Sequence, residues 1–352
     1  MKSHAIIPIF IPHLGCPNDC IFCNQKKITA QTSPVTLEDM KATAERYLST
    51  LSSSEVETIE MAFYGGSFTG IPMELQQEYL AVAKDYKDRG LIQKIHLSTR
   101  PDYINEEILE NLKKYDVDII ELGVQSLDEE VLRLSNRGHD RECVFKASEL
   151  IQSYGFTLGL QLMIGLPGDT HEKSVKSARE VVEIGPSIAR LYPTVIIRDT
   201  DLYELYQTGK YQPLTIEAAV YTTKEMYLIL TKAGINVIRI GLKSTDLISE
   251  NGAVIGGYHP AFRQLVESEI AKDQMEAQLT ACLSSYQCNE QGSTQDSLQG
   301  SYRFYSSGPS FSNMVGNGKS NRLYFEKKYP HVRISFHVDH SLPDGVFVLE
   351  KR

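Results

Sequence analysis

The 352-residue chain is poor in three things, and each scarcity removes a class of protein. No segment is long and apolar enough to span a membrane, and the apolar run near Met1 is short and interrupted by Pro8 and Pro12. Neither a membrane partner nor a secretory signal is expected, and the expected location is the cytoplasm. Basic charge is not in excess: 36 Lys and Arg stand against 45 Asp and Glu, a net −9, so any contact with nucleic acid must use a local patch. Cysteine is scarce too. Six in a chain this long make no disulfide framework and read better as metal ligands in a reducing compartment.

Three of those six stand close together. Cys16, Cys20 and Cys23 follow the C-x3-C-x2-C spacing directly after the apolar run Ala5 to Ile11. Three thiolates on one loop suit three irons of a [4Fe-4S] cluster, and with no fourth ligand following nearby the last iron is open to a small molecule. A zinc site completed by His13 is the competing reading. A zinc knuckle, however, usually organises its own small domain, whereas this loop leads into a long series of alternating strand and helix patterns.

That series sets the fold. Strands are predicted at Ala5 to Pro12, Thr58 to Tyr64, Ile95 to Ser98, Ile119 to Val124, Phe156 to Met163 and Ile188 to Thr194, with a further one at Asn236 to Ile240. Helices lie between them, the first opened by a capping-box pair, Thr36 and Asp39, and another capped by Asn105. Repeating units of about thirty residues predict a parallel sheet and an α/β architecture, a partial (β/α)6 TIM-type barrel with a C-terminal extension. Polar or Gly-rich clusters follow each strand, where the sites of such barrels assemble. The expected divisions are a barrel core over 1–245, a helical extension over 246–283 covering the site, a Ser-, Gln- and Gly-rich flexible linker over 284–300, and a small α+β cap over 301–352. Cys143, Cys282 and Cys288 are too few and too scattered to hold a second cluster.

Five phrases then carry a resemblance: Pro8 to Cys16 with the two later cysteines, Tyr64-Gly65-Gly66-Ser67-Phe68, Ser98-Thr99-Arg100-Pro101-Asp102, Glu121 to Ser126, and Gln161 to Gly168. In these the chain resembles a radical S-adenosylmethionine (SAM) enzyme, and within that superfamily proteins related to the radical domain of the Elongator catalytic subunit. More distantly it is similar to oxygen-independent coproporphyrinogen III oxidases. The resemblance implies that the three cysteines hold the cluster and that SAM occupies its open iron. An electron, from a donor such as flavodoxin or ferredoxin, would split SAM into methionine and a 5′-deoxyadenosyl radical that takes hydrogen from substrate.

By the same resemblance Gly65 and Gly66, followed by Ser67, meet the methionine amino group through the backbone. Gln125 and Arg137 are implied polar contacts to SAM, Arg137 through a bidentate pair with its carboxylate. Phe22 packs near the adenine or is a core aromatic, and Gln161 stands where coproporphyrinogen oxidases carry an aspartate. Arg100, Glu121, Tyr192, Arg239 and His259 are candidate substrate-side residues. For Arg100 and Glu121 a buried ion pair is the rival reading, and for His259 a satisfied or surface histidine. The expected substrate is a tRNA nucleoside, with a small metabolite or tetrapyrrole as the alternative. A non-catalytic iron-sulfur or zinc protein is a third reading, disfavoured because a mere cluster holder has no use for the Gly-Gly turn, Gln125 and Arg137.

Overall fold

The computed structural model describes residues 4–11, 16, 20–24, 35–51, 56–242, 254–255, 257–287 and 300–352. His13, Cys288 and residues 288–299 of the expected linker lie outside the described residues. The chain forms two compact units, Met1–Pro260 and Ala261–Arg352.

In the first unit the strands are β1 (His4–Ile11), β2 (Thr58–Gly65), β3 (Lys94–Thr99), β4 (Ile119–Gln125), β5 (Thr157–Ile164), β6 (Ile188–Pro193), β7 (Ile196–Ile197), β8 (Asn236–Ile240) and β9 (Val254–Ile255). Seven of them make one all-parallel sheet in the order β1-β2-β3-β4-β5-β6-β8. This is the curled, partial barrel that the sequence predicts, with β8 as its seventh strand. The two-residue strands β7 and β9 pair antiparallel as a separate ribbon.

The strands split their side chains cleanly between two faces, as a period of two requires. One face carries Ile7, Ile9, Met61, Phe63, Ile95, Leu97, Ile120, Leu122, Leu160 and Leu191, all buried. Helices such as Met73–Asp88, Glu106–Lys114 and Arg141–Ser153 present matching buried faces, among them Leu80, Leu109 and Val144. Their starts are built locally. Thr36 and Asp39 form the reciprocal capping box of helix Leu37–Thr50, and Asn105 accepts the Ile108 N–H. Each such cap is worth about 1 kcal/mol. The register puts Glu60, Tyr64, His96, Ser98, Glu121, Gln161, Arg190, Tyr192 and Arg239 on the other, inner face. The inside of the curl is therefore polar.

In the second unit, β10 (Gly300–Ser306) lies between β11 (Val332–Val338), parallel to it, and β12 (Phe347–Lys351), antiparallel. Helix Phe262–Gln287 packs Met275 and Leu279 into one core with Tyr302, Phe304, Met314, Phe325 and Phe347. Buried Asn321 ties this core together, donating to the Ser268 and Asn313 carbonyls at 2.8 and 3.1 Å. Among the described residues no helix is long and apolar enough to cross a membrane.

Candidate active site

The carboxyl ends of β1 and β2 are bolted together by the Gly-Gly turn. Gly66 N–H donates to the Ile11 carbonyl at 3.0 Å, at the entrance to the cysteine loop. Gly65 sits at φ +108°, and a Cβ there would stand 2.6 Å from the same carbonyl oxygen. Both the dihedral and the close approach demand glycine. Ser67 is buried and occupied: its hydroxyl bonds Thr99 Oγ1 at 2.8 Å and accepts the Arg100 N–H at 3.1 Å.

On the cysteine loop Cys20 is buried, and two arginines converge on it. Arg137 Nη1 donates to Cys20 Sγ at 3.0 Å, and Arg100 Nη1 lies 3.9 Å away. Each guanidinium is held from behind. Arg100 grips Asp102 with a fork, 2.9 and 2.8 Å, and also donates to the Arg137 carbonyl. Arg137, only 5% exposed, gives its Nη2 to the Gly123 carbonyl. Arg137 is thus a buried arginine although its turn is polar. Nη1 and Nη2 each hold one such contact, and Nε is buried with no hydrogen-bond partner, so the guanidinium keeps N–H donors for an anionic group. Burial raises the Cys16 thiol, while Arg100 and Arg137 pull against that rise.

The loop is pinned on both sides, by Ile21 N–H to the Ser135 carbonyl at 3.3 Å and Leu202 N–H to the Ile21 carbonyl at 2.8 Å. Phe22 packs against a cluster of Ile196, Leu202 and Tyr211, with its ring 6.0 Å from the Arg137 guanidinium. Phe22 itself is half-buried there. Among the described residues no three His, Cys, Asp or Glu side chains are gathered as ligands of a single metal ion. The donor set itself, three thiols with two guanidiniums at Cys20, suits an anionic iron-sulfur group, whose sulfurs take hydrogen bonds that tune it.

Next to this lies a second polar group. The β4 register shifts between Gly123 and Gln125, and Gln125 adopts φ +70°. Such a bulge re-aims a side chain. Gln125 Oε1 accepts from Gln161 Nε2 at 3.4 Å. A Cβ on Gly123 would come within 3.1 Å of Gln125 Nε2 and 3.6 Å of Arg137 Nη2, so its absence makes room for both side chains. The turn 136–139 also buries His139, which burial first and Arg137 second push down to about 3, leaving a neutral imidazole. A cavity of 260 Å³ opens beside it, lined by Leu132, Asn136, Arg137, Gly138 and His139 among others.

Deeper in the curl, Glu121 is 1% exposed and paired with Arg190, Nε to Oε2 at 2.6 Å. Ser98 donates to its other oxygen at 3.2 Å. Arg190 then spreads its fork over two phenols, Nη2 to Tyr64 at 2.7 Å and Nη1 to Tyr192 at 3.4 Å. Burial pushes Tyr64 up to about 12 despite that cation. Below, His96 and His4 flank Glu60 at 3.3 and 2.8 Å. Arg100 and Glu121 are both ion-paired, Arg100 with Asp102 two residues on and Glu121 with Arg190, a partner that the sequence does not reveal. Arg239 neighbours Arg190 in the β6–β8 register, and His259 is half-buried at the end of the unit. Arg190, Tyr64, Glu60 and His96 were not singled out as site residues. The signal for them was polar residues alternating along otherwise apolar strands.

Comparison with known proteins bears on the family and the fold. The Radical SAM superfamily profile matches residues 10–181, and the Radical_SAM C-terminal domain profile matches residues 186–272. A tRNA uridine(34) acetyltransferase of Methanocaldococcus infernus is 27% identical over 254 residues, 61% of this chain and 48% of that protein. Elongator complex protein 3 of Homo sapiens is 28% identical over 251 residues, 59% of this chain and 46% of the relative. The chain thus spans about half the length of these curated relatives. In fold it is similar to the archaeal M. infernus Elp3 with an N-terminal deletion, at a TM-score of 0.62 and 22% identity over 78% of this chain and 64% of that one. Matched by two adjoining profiles that together run from its first strand into its second unit, the chain belongs to the radical SAM superfamily of enzymes.

Proposed function

We propose that the protein carries a [4Fe-4S] cluster on Cys16, Cys20 and Cys23, cleaves SAM, and modifies a nucleoside of tRNA. The observation that carries the reading is the convergence of Arg137 and Arg100 on Cys20 beside the Gln125–Gln161 pair. The choice of tRNA rests on the relatives whose names include it. When bound and reduced, by a donor of flavodoxin or ferredoxin type, the cluster supplies the electron that splits the sulfonium of SAM.

The chain's own residues do the rest. Arg137 and Arg100 place positive charge and N–H donors at Cys20 Sγ, which would stabilise the more negative, reduced state of a cluster held there. Gly65 and Gly66 offer a backbone edge with no Cβ in the way, suited to the methionine end of SAM. Gln125 and Gln161 supply amide donors and acceptors from adjacent strands. Ser67, whose hydroxyl is taken by Thr99 and Arg100, serves by holding the turn. The polar interior from Glu121 through Arg190 to Tyr64 and Tyr192 would face substrate with phenols oriented by one guanidinium. Arg239 would extend that surface along β8.

The test is anaerobic reconstitution with iron and sulfide, reduction, and assay for 5′-deoxyadenosine. A cluster that forms but yields none overturns the proposal. Cys20→Ala is expected to abolish both turnover and the absorbance at about 400 nm typical of thiolate-bound iron-sulfur centres.

A further inference from the structure

The second unit carries a surface that the proposed reaction does not use. Its three-stranded sheet turns one face to the core formed with helix Phe262–Gln287. The registers put Arg303 and Tyr305 of β10, Arg333 and His337 of β11, and Val348 and Glu350 of β12 on the opposite face. Tyr305 stands directly beside His337, with ring centroids 5.5 Å apart. The Tyr305 hydroxyl donates to Glu350 at 2.7 Å and accepts from Arg303 Nη1 at 3.5 Å, so the phenol is held in place. Glu350 is the sole acidic side chain among these and is engaged by that bond. Arg333 is exposed.

Charge is local to this face: residues 261–352 balance ten Lys and Arg against ten Asp and Glu, while the face itself sets Arg303 and Arg333 against Glu350. A face with two adjacent rings flanked by guanidiniums matches what a single strand of nucleic acid offers, flat bases and a line of phosphates. An acidic peptide would engage the arginines and leave the rings without a task. We infer that this face binds single-stranded RNA, stacking bases on Tyr305 and His337 and pairing phosphates with Arg303 and Arg333. Its choice of RNA rests on the tRNA proposal. The surface itself does not depend on the cysteine site.

The experiment titrates the full-length, cluster-loaded protein into a fluorescein-labelled oligouridine 8-mer and, separately, into labelled tRNA, following anisotropy at several salt concentrations. Arg303→Gln/Arg333→Gln is expected to weaken 8-mer binding by about tenfold or more and to flatten the log–log salt slope by about 1.4, the loss of two phosphate contacts. Tyr305→Ala is expected to weaken it comparably and Tyr305→Phe to leave it close to wild type, since stacking needs the ring and not the hydroxyl. Formation of 5′-deoxyadenosine without substrate should be unchanged in all of them. Should a variant misfold, Arg333→Gln alone, at an exposed position, gives the same reading at half the slope change. If tRNA binds but the variants bind like wild type, the surface is wrong and the tRNA proposal survives. If the 8-mer binds through this face and tRNA does not, the surface stands and tRNA falls. Failure of wild type to bind either RNA, or preference for polyglutamate or anionic vesicles, overturns the surface.

Discussion

Arg190 on β6 donates to the Tyr64 hydroxyl on β2 at 2.7 Å, although four strand steps separate them in the sheet. In a flat sheet those steps would span about 19 Å. The bond can form only because the sheet curls back toward itself, and it crosses the polar interior where a substrate would enter. It also fixes where the guanidinium points, since its other edge is taken by Glu121.

Removing Arg190 should therefore hurt stability before it hurts chemistry. Arg190→Met leaves Glu121 buried without its guanidinium, at an expected cost of about 3–5 kcal/mol in urea unfolding. Adding Glu121→Gln should recover a good part of it. A double variant no more stable than Arg190→Met would show that the pair is not the source of the loss.

Two glycines with positive φ separate strain from steric approach. At Gly185, φ +70°, an added Cβ meets nothing within 4 Å, while at Gly65 it meets the Ile11 carbonyl at 2.6 Å. Gly185→Ala should cost about 1–2 kcal/mol, the left-handed penalty alone. Gly65→Ala should cost more and weaken SAM binding measured by calorimetry. Equal costs at the two sites would remove the argument that the turn is bolted to β1 by close contact.

Arg137→Gln removes the charged donor at Cys20. The reduced cluster then loses a stabilising partner, so the midpoint potential followed by EPR titration should move to more negative values. An unchanged potential would mean that the contact at 3.0 Å does not act on the cluster.

His139 predicts a pH dependence. Its folded value is depressed to about 3, below the ordinary histidine value, so the unfolded chain binds the extra proton first. The stability that follows from the neutral buried ring is complete above about pH 6.5 and is lost as pH falls from there toward 3. Between pH 6.5 and 5 the wild type should lose on the order of 2 kcal/mol more than His139→Gln, measured on iron-free protein by urea unfolding. Parallel pH curves for the two proteins would contradict this.

What could be read in the sequence was what is local. Strand periodicity, the Thr36–Asp39 box, the Asn105 cap and the cysteine spacing each depend on residues a few positions apart. The pairings of the interior do not. Nothing near Glu121 in the chain marks Arg190 as its partner, nothing near Glu60 marks His96, and the positive φ of Gln125 arises from a bulge against β5. Elements too short to show a period were also missed, namely the β7–β9 ribbon and helix Asp201–Gln207. Glu121 illustrates the limit well. Burial and pairing were foreseeable from its type, but the identity of its partner required the fold.

One consequence concerns maturation. Arg100 has Asp102 as its counter-charge, whereas among the described residues Arg137 has no carboxylate partner. A buried cation without a carboxylate partner is poorly accommodated, and a sulfur bearing negative charge relieves it. Iron-sulfur loading would then act on the whole first unit as a neutralising event, tightening the turn 136–139 and the cysteine loop together. The iron-free chain should be the more protease-sensitive form at that corner, so the order in which it folds and receives its metal becomes part of how it survives in the cell.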